Sequence, residues 1–261
     1  MTTILSFPKI TRRAWNVWYR NLEVFLKTWH VNFFPPLLEA LFYLFAIGLG
    51  IGNYIKEMEG VPYITFIAPA VLAIAVMNSA FFECTYGSYV RMYYQKTFDA
   101  MIATPLSIED VIAGELLWGA TRSVMYVVIM LPVLVAFGVV SLPVSLLTIP
   151  FAFFGGLMFA GIAMCFTAIT PNIDMLNYPS FLFITPMALF SGTFFPLTLM
   201  PVLLQYFAFV FLPLTHVVAV MRMLTLPAIS WTIALNIGWI IGATALFCVL
   251  GINLMRRKLI V

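Results

Sequence analysis

Residues 146–169 read LLTIPFAFFGGLMFAGIAMCFTAI, a run of 24 residues without one Asp, Glu, Lys or Arg. As a helix rising 1.5 Å per residue the run is about 36 Å long, enough to cross a hydrocarbon layer of about 30 Å. A helix that is apolar all round lies either deep inside a large protein or in lipid. Composition decides between the two. Of 261 residues 63% are hydrophobic and only 9% charged, and mean hydropathy is +1.05, whereas soluble domains carry about 25% charged residues. A water-soluble globule is excluded, and the chain reads as an all-α membrane protein.

Outward from that segment, further apolar runs predict spans at about 33–52, 62–82, 111–137, 178–195 and 231–255, six in all with 146–169. Pro35 and Pro36 are placed in the first turn of the first span, where a missing N–H costs little. Residues 83–115 form the longest polar stretch and read as a loop. Residues 197–226 are apolar but are broken by Pro196, Pro201, Pro213 and Pro227 into pieces too short to cross. They predict a re-entrant helical hairpin between spans five and six, shielded by protein where its backbone is irregular.

The two expected domains are a 1–30 amphipathic interface helix and a 31–261 transmembrane region. In the first, Lys9, Arg13, Asn16, Arg20, Glu23 and Lys27 recur at helical spacing, and Trp15, Trp18, Leu22, Phe25 and Trp29 form a second stripe. That pairing of a basic and a Trp-rich face suits a helix lying in the membrane interface. The segment is too polar for a signal-peptide core, so the first span is expected to stay in the mature chain. Five Lys and Arg in the N-terminal segment, Arg91 and Lys96, and Arg256, Arg257 and Lys258 put ten of thirteen bases on one side, against Lys56 and Arg222 on the other. The positive-inside rule then makes both termini cytoplasmic, which agrees with an even number of spans.

Four charges fall in or beside spans, where they are costly and are functional candidates. Glu39 lies about 9 Å into the first span and Arg122 about 12–16 Å into the third. With Glu83 and Glu115 they are expected to gather in the cytoplasmic half. The cluster is either an ion-pair lock between helices or a portal for a ligand's headgroup, and Tyr43, Trp118, Tyr126 and Phe190 are candidate path-lining rings. Beyond residue 95 a short helix ends at Thr104-Pro105, and Ser107 with Asp110 three residues on suits a capping box. Phe98, Met101, Ile102 and Leu106 give this elbow an apolar side that either docks a soluble partner or rests on lipid.

Other chemistry is poorly supplied. Cys84, Cys165 and Cys248 are far apart and read as small buried hydrophobes. No catalytic or metal residue is assigned: HExxH is absent, His30 and His216 are isolated, and a Ser191 and His216 pair can be imagined but reads as stray polar residues in an apolar re-entrant segment. No glycine is followed by lysine, so there is no P-loop. Gly48, Gly50 and Gly52 lack the strand that a dinucleotide fingerprint needs. Nothing resembles a basic, aromatic-interleaved nucleic-acid surface. Ala152, Gly156 and Ala160 form a small-residue track, read as a helix-packing seam within the subunit.

Residues 98–123 (FDAMIATPLSIEDVIAGELLWGATRS) and 184–224 (ITPMALFSGTFFPLTLMPVLLQYFAFVFLPLTHVVAVMRML) resemble the ABC-2 family of ABC exporter permeases. Within it the chain is most similar to permeases of lipo-oligosaccharide (nodulation-factor-type) exporters. Ser191-Gly192-Thr193 with Phe195-Pro196, and Pro213-Leu214-Thr215-His216, match the family's signature region. The resemblance implies an inner-membrane exporter of an amphiphile such as a glycolipid, lipo-oligosaccharide or drug. It implies a homodimer in contact with membrane lipids, working with two copies of a separate ATPase that holds ATP and Mg, and no cofactor on this chain. It makes Thr97, Phe98, Asp99, Met101 and Ile102 the coupling helix that sits in the ATPase. It assigns Ser191, Gly192, Phe195, Pro196, Pro213 and His216 to an outer gate. The alternatives are an ion-coupled carrier without an ATPase and a membrane-embedded lipid-modifying enzyme.

Overall fold

The computed structural model describes residues 7–226 and 230–259, apart from the side chains at 48, 49 and 53; Pro227 and the first six residues lie outside it. Helices dominate. In chain order they are α1 (Ala14–Lys27), α2 (Trp29–Phe45), α3 (Tyr63–Phe82), α4 (Thr97–Ile102), α5 (Ile108–Ala136), α6 (Thr148–Ile169), α7 (Asn177–Pro179), α8 (Thr185–Phe190), α9 (Val202–Phe211), α10 (Pro213–Thr225) and α11 (Thr232–Leu259). A two-stranded hairpin, β1 (Glu57–Met58) and β2 (Val61–Pro62), precedes α3. Its turn residues Glu59 and Gly60 both have positive φ, the tight geometry that matches the twist of paired strands.

Among the described residues four helical stretches are long and apolar enough to cross a membrane: Tyr63–Tyr94, Ile108–Ala136, Val144–Ile169 and Thr232–Leu259. A fifth is counted if α9 and α10, bent by 91° at Leu212, are taken as one. Two predicted spans depart from expectation. The first begins at Trp29, so Pro35 and Pro36 fall inside α2 rather than in its first turn, and the α-helix yields to a π turn at Ala46–Gly50 and a 3-10 turn at Ile51–Asn53. The fifth is helical only over 177–190, with a π turn at Ser180–Ile184. It stops at Ser191 because the chain turns there through Gly192, which has φ +72°. The bend between α9 and α10 follows from Pro213, which supplies no N–H to α9 but suits the first turn of α10.

The polar stretch after residue 82 is not a loop. Helix continues from α3 through π turns at Glu83–Gly87 and Val90–Tyr94, leaving residues 95–107 as the connector. The extension is tolerated because its charged side chains are paired within the bundle. Most of α3 is buried, consistent with its apolar character on every side. It packs on α5, α6 and α10, and α11 lies against α6 and α10. The small-residue track on α6 is an internal seam: Gly156 faces Ser123 and Ala120, and Ala160 faces Gly119, all on α5.

Helix α1 runs beside α5. The buried face is Ala14, Val17 and Asn21, neither of the two predicted stripes, and Trp15, Tyr19 and Trp29 stay exposed. The reason is Gly114 on α5, where a Cβ would lie 2.5 Å from that of Val17 and 2.7 Å from the Ala14 carbonyl oxygen. The two backbones approach where a side chain is missing, and the smallest residues of α1 turn inward. Helix begins at Ala14, so Lys9 and Arg13 precede it.

Candidate functional site

One end of the bundle collects the charges. Ser107 caps α5 by accepting from the Asp110 N–H (3.1 Å), and the Asp110 carboxylate accepts from the Ser107 N–H (3.3 Å), completing the capping box. The same carboxylate accepts from the N–H (2.6 Å) and hydroxyl (3.0 Å) of Thr11, which fastens the start of the chain to the start of α5. Arg13 donates to the Pro105 carbonyl, and Arg256 pairs with Glu109 at 3.0 Å. The two ends of the described chain and the 95–107 connector therefore meet at this end.

Just inside it lies a continuous polar network. Arg91 reaches Glu83 (2.8 Å) with one terminal nitrogen and Glu115 (2.6 Å) with the other, while its Nε gives Glu115 a second bond at 2.9 Å. Glu115 is fully buried and also accepts from Asn21 on α1 (2.8 Å) and Ser88 (2.7 Å). Glu83 accepts from the Trp118 indole N–H (3.0 Å) and pairs with Arg122 Nε at 3.4 Å. Arg122 donates to Asn32 on α2 (3.0 Å) and lies near the Phe25 and Tyr126 rings. Two carboxylates and two guanidiniums thus balance in a chain that joins α1, α2, α3 and α5.

Three of the four expected charges are brought together, and one is not. Glu39 makes no ion pair among the described residues, and the partner of Arg122 is Glu83. A Glu39 and Arg122 couple, expected from their matching depth, is therefore absent. The central member, Arg91, looks from sequence like a loop charge. It lies eight residues after Glu83, a same-face spacing only if the helix is carried through the polar stretch. Tyr43 stands apart, lining a groove of about 430 Å3 with Asn78, Tyr86 and Phe181.

Beside the network opens a cavity of about 380 Å3, lined by Arg20, Arg91, Arg122 and Glu83 together with Phe25, Tyr86 and Trp118. Its lining is net positive. Burial pushes the Arg20 guanidinium below its usual value, Glu115 opposes that and Arg91 adds to it. The group stays protonated because an arginine begins so far above neutrality.

The connector carries α4, whose N-cap Lys96 takes a left-handed backbone. Phe98, expected on a docking surface, is instead fully buried. It anchors the elbow from beneath, since a benzyl side chain gains more from the adjacent core than from solvent. Met101 and Ile102 are half-buried, whereas Asp99, Ala100, Ala103 and Thr104 face outward. Asp99 and Lys96 lie 3.9 Å apart on that face.

At the far end of α3, residues 191–195 form an irregular bend. Tyr63 donates to the Phe194 carbonyl (3.1 Å), Arg222 to the Gly192 carbonyl (3.0 Å), and Thr193 to the Ala188 carbonyl. Pro196 follows the bend and Pro213 starts α10. His216 is buried, with ring nitrogens 2.7 Å from Asn236 Oδ1 and 2.8 Å from the Phe209 carbonyl oxygen, and it stacks on Trp239. It pins α9, α10 and α11 together. Ser191 Oγ has no hydrogen-bond partner, so the conceivable Ser191 and His216 pair is not formed.

The family model for the ABC-2 type transporter matches residues 12–226. Nodulation protein J of Sinorhizobium fredii is 31% identical over 94% of this chain and 95% of its own length. Nodulation protein J of Bradyrhizobium diazoefficiens is 33% identical, covering 94% and 93%. Inner membrane transport permease YadH of Escherichia coli is 23% identical over 71% of this chain and 72% of its own. No solved structure matches. The matched segment begins just after Thr11 and runs through the charge network to the end of α10, and the chain is a member of the ABC-2 type transporter family.

Proposed function

We propose that this chain is the permease subunit of an ATP-driven exporter of an amphiphile with a polar head, such as a glycolipid, lipo-oligosaccharide or drug. ABC-2 permeases work with an ATPase partner in ABC exporters. In this reading two copies of the chain pair in the inner membrane, each engaging one ATPase subunit. ATP and Mg stay on that partner. The chain crosses six times, the stretches at 29–53 and 177–190 making the two passes that are not uniform α-helices, with α9 and α10 re-entrant. Both termini and the charged end face the cytoplasm, and residues 191–196 with Pro213 and His216 form the outer gate. The name of one relative above, an inner membrane transport permease, supports the transport and membrane assignments.

The observation that carries the reading is the construction of the 95–107 elbow. Phe98 is sunk into the core and the capping box clamps the far side, so a push on the exposed face of α4 passes to α3 and α5 without being absorbed. Through Asn21, Trp18 and Thr11 the same motion reaches α1, which makes that helix the second contact with the motor. The net-positive cavity beside the network is placed to receive an anionic headgroup from the adjacent leaflet.

The test is a double replacement of outward-facing residues, Ala100→Trp with Ala103→Trp, in the chain co-expressed with a candidate partner ATPase that co-purifies with the parent chain. Co-purification of the ATPase is expected to fall at least tenfold while the chain stays membrane-inserted and monodisperse. Undiminished co-purification would remove the coupling role of α4. Separately, transport by the purified chain alone under an ion gradient would overturn the ATP-driven reading.

A further inference from the structure

About 25 Å along α3 from the charge network, a second cavity of about 330 Å3 lies among the 191–198 bend, α10 and the start of α11. Four buried side-chain polar atoms among the described residues lack a hydrogen-bond partner, and three of them belong to residues lining this cavity: Ser191 Oγ, Thr215 Oγ1 and Arg222 Nε. Ser191 is 1% exposed and Thr215 3%. Leaving such groups unmatched is costly, so three around one space mark a missing partner.

Arg222 is otherwise held in place. Its Nη2 donates to the Gly192 carbonyl at 3.0 Å, and the guanidinium lies over the Phe66 ring at 3.9 Å. It makes no ion pair with a carboxylate among the described residues, so its charge is unmatched at contact distance. Glu59, carried at the tip of the β hairpin, lines the same cavity. Apart from these groups the lining is largely apolar, with Leu197, Phe209 and Leu235.

We propose that this cavity binds the headgroup of a zwitterionic phospholipid. The phosphate accepts from Arg222 Nε and from the hydroxyls of Ser191 and Thr215, a set of donors suited to a charged oxyanion. The ammonium faces Glu59, and the apolar walls take the glycerol and the first methylenes. A free anion would use the donors but leave Glu59 and the apolar walls without a role. The site stands on this cavity alone and does not depend on the export reading.

The experiment is native mass spectrometry of the full-length chain in detergent, titrated with phosphatidylethanolamine, phosphatidylglycerol, diacylglycerol or inorganic phosphate. Phosphatidylethanolamine is expected to bind tightest. Ser191→Ala with Thr215→Val removes two buried hydroxyls that make no hydrogen bond within the chain, so it should leave the lipid-free protein at least as heat-stable. It should also weaken phosphatidylethanolamine about tenfold or more. Glu59→Gln should erase the preference over phosphatidylglycerol. Equal binding of phosphatidylethanolamine by the double variant and the parent would overturn the site. So would parity between phosphatidylethanolamine and phosphatidylglycerol in the parent, or retention of inorganic phosphate in place of lipid.

Discussion

Glu115 has no access to solvent, yet four donors converge on it: Asn21, Ser88 and two nitrogens of Arg91. Removing the charge from a buried pair leaves the partner desolvated and unmatched, at a cost of about 3–5 kcal/mol. Glu115→Gln should therefore lower stability by about 3 kcal/mol or more. Glu39→Gln should change it by about 0.5 kcal/mol or less, because no ion pair is lost. Thermal unfolding of the two variants in one detergent checks the contrast; equal losses would mean that Glu39 has a partner in the working protein. Sequence reading found Glu83, Glu115 and Arg122 from the rule that charges in apolar spans are held for a reason. It missed Arg91, Ser88 and Asn21 because each lies in a stretch polar enough to look solvated, and Asn32 because it is an uncharged residue just outside the predicted first span.

At the scale of elements, what was legible followed from how local the signal is. The crossing helix α6 is written as a charge-free run, α5 and α11 as long apolar stretches with few charges, and the start of α5 as Ser107 with Asp110. The extension of α3 was hidden because Glu83 and Arg91 satisfy each other only after folding. The inward face of α1 was hidden because a gap on another helix selects it. That gap makes a prediction: Gly114→Leu should lift α1 from α5, since even a first carbon is blocked by Val17 and the Ala14 carbonyl. Limited proteolysis of membrane vesicles should then cut at the bases of α1, with the rest of the chain intact. Unaltered cleavage would show that the capping contacts to Thr11 hold α1 alone.

At the scale of the molecule, burial is uneven. The apolar window of Tyr63–Tyr94 is 83% buried and that of Thr232–Leu259 only 11%, so α3 is the axle and α11 faces lipid or a neighbour. Large apolar side chains are also exposed on α9, with Leu203 80% accessible, and on the 177–190 helix. In a background with Cys84, Cys165 and Cys248 replaced by Ala, a cysteine at Leu203 should give a disulfide-linked species of twice the chain mass in oxidised membranes. One placed on the outward side of α11, at Leu246, should give less. The reverse ranking would move the pairing surface to α11.

The joint between α1, α2, α3 and α5 also sets an order for biogenesis. A nascent chain that has delivered residues up to the end of α4 already carries Asn21, Ser88 and Arg91, but not Glu115, the acceptor they share. Until α5 follows, Arg91 has Glu83 as its carboxylate partner but lacks the hydrogen bonds that Glu115 accepts from it. A chain truncated before residue 108 would therefore keep Arg91 on Glu83 alone, and the arrival of α5 would complete the joint.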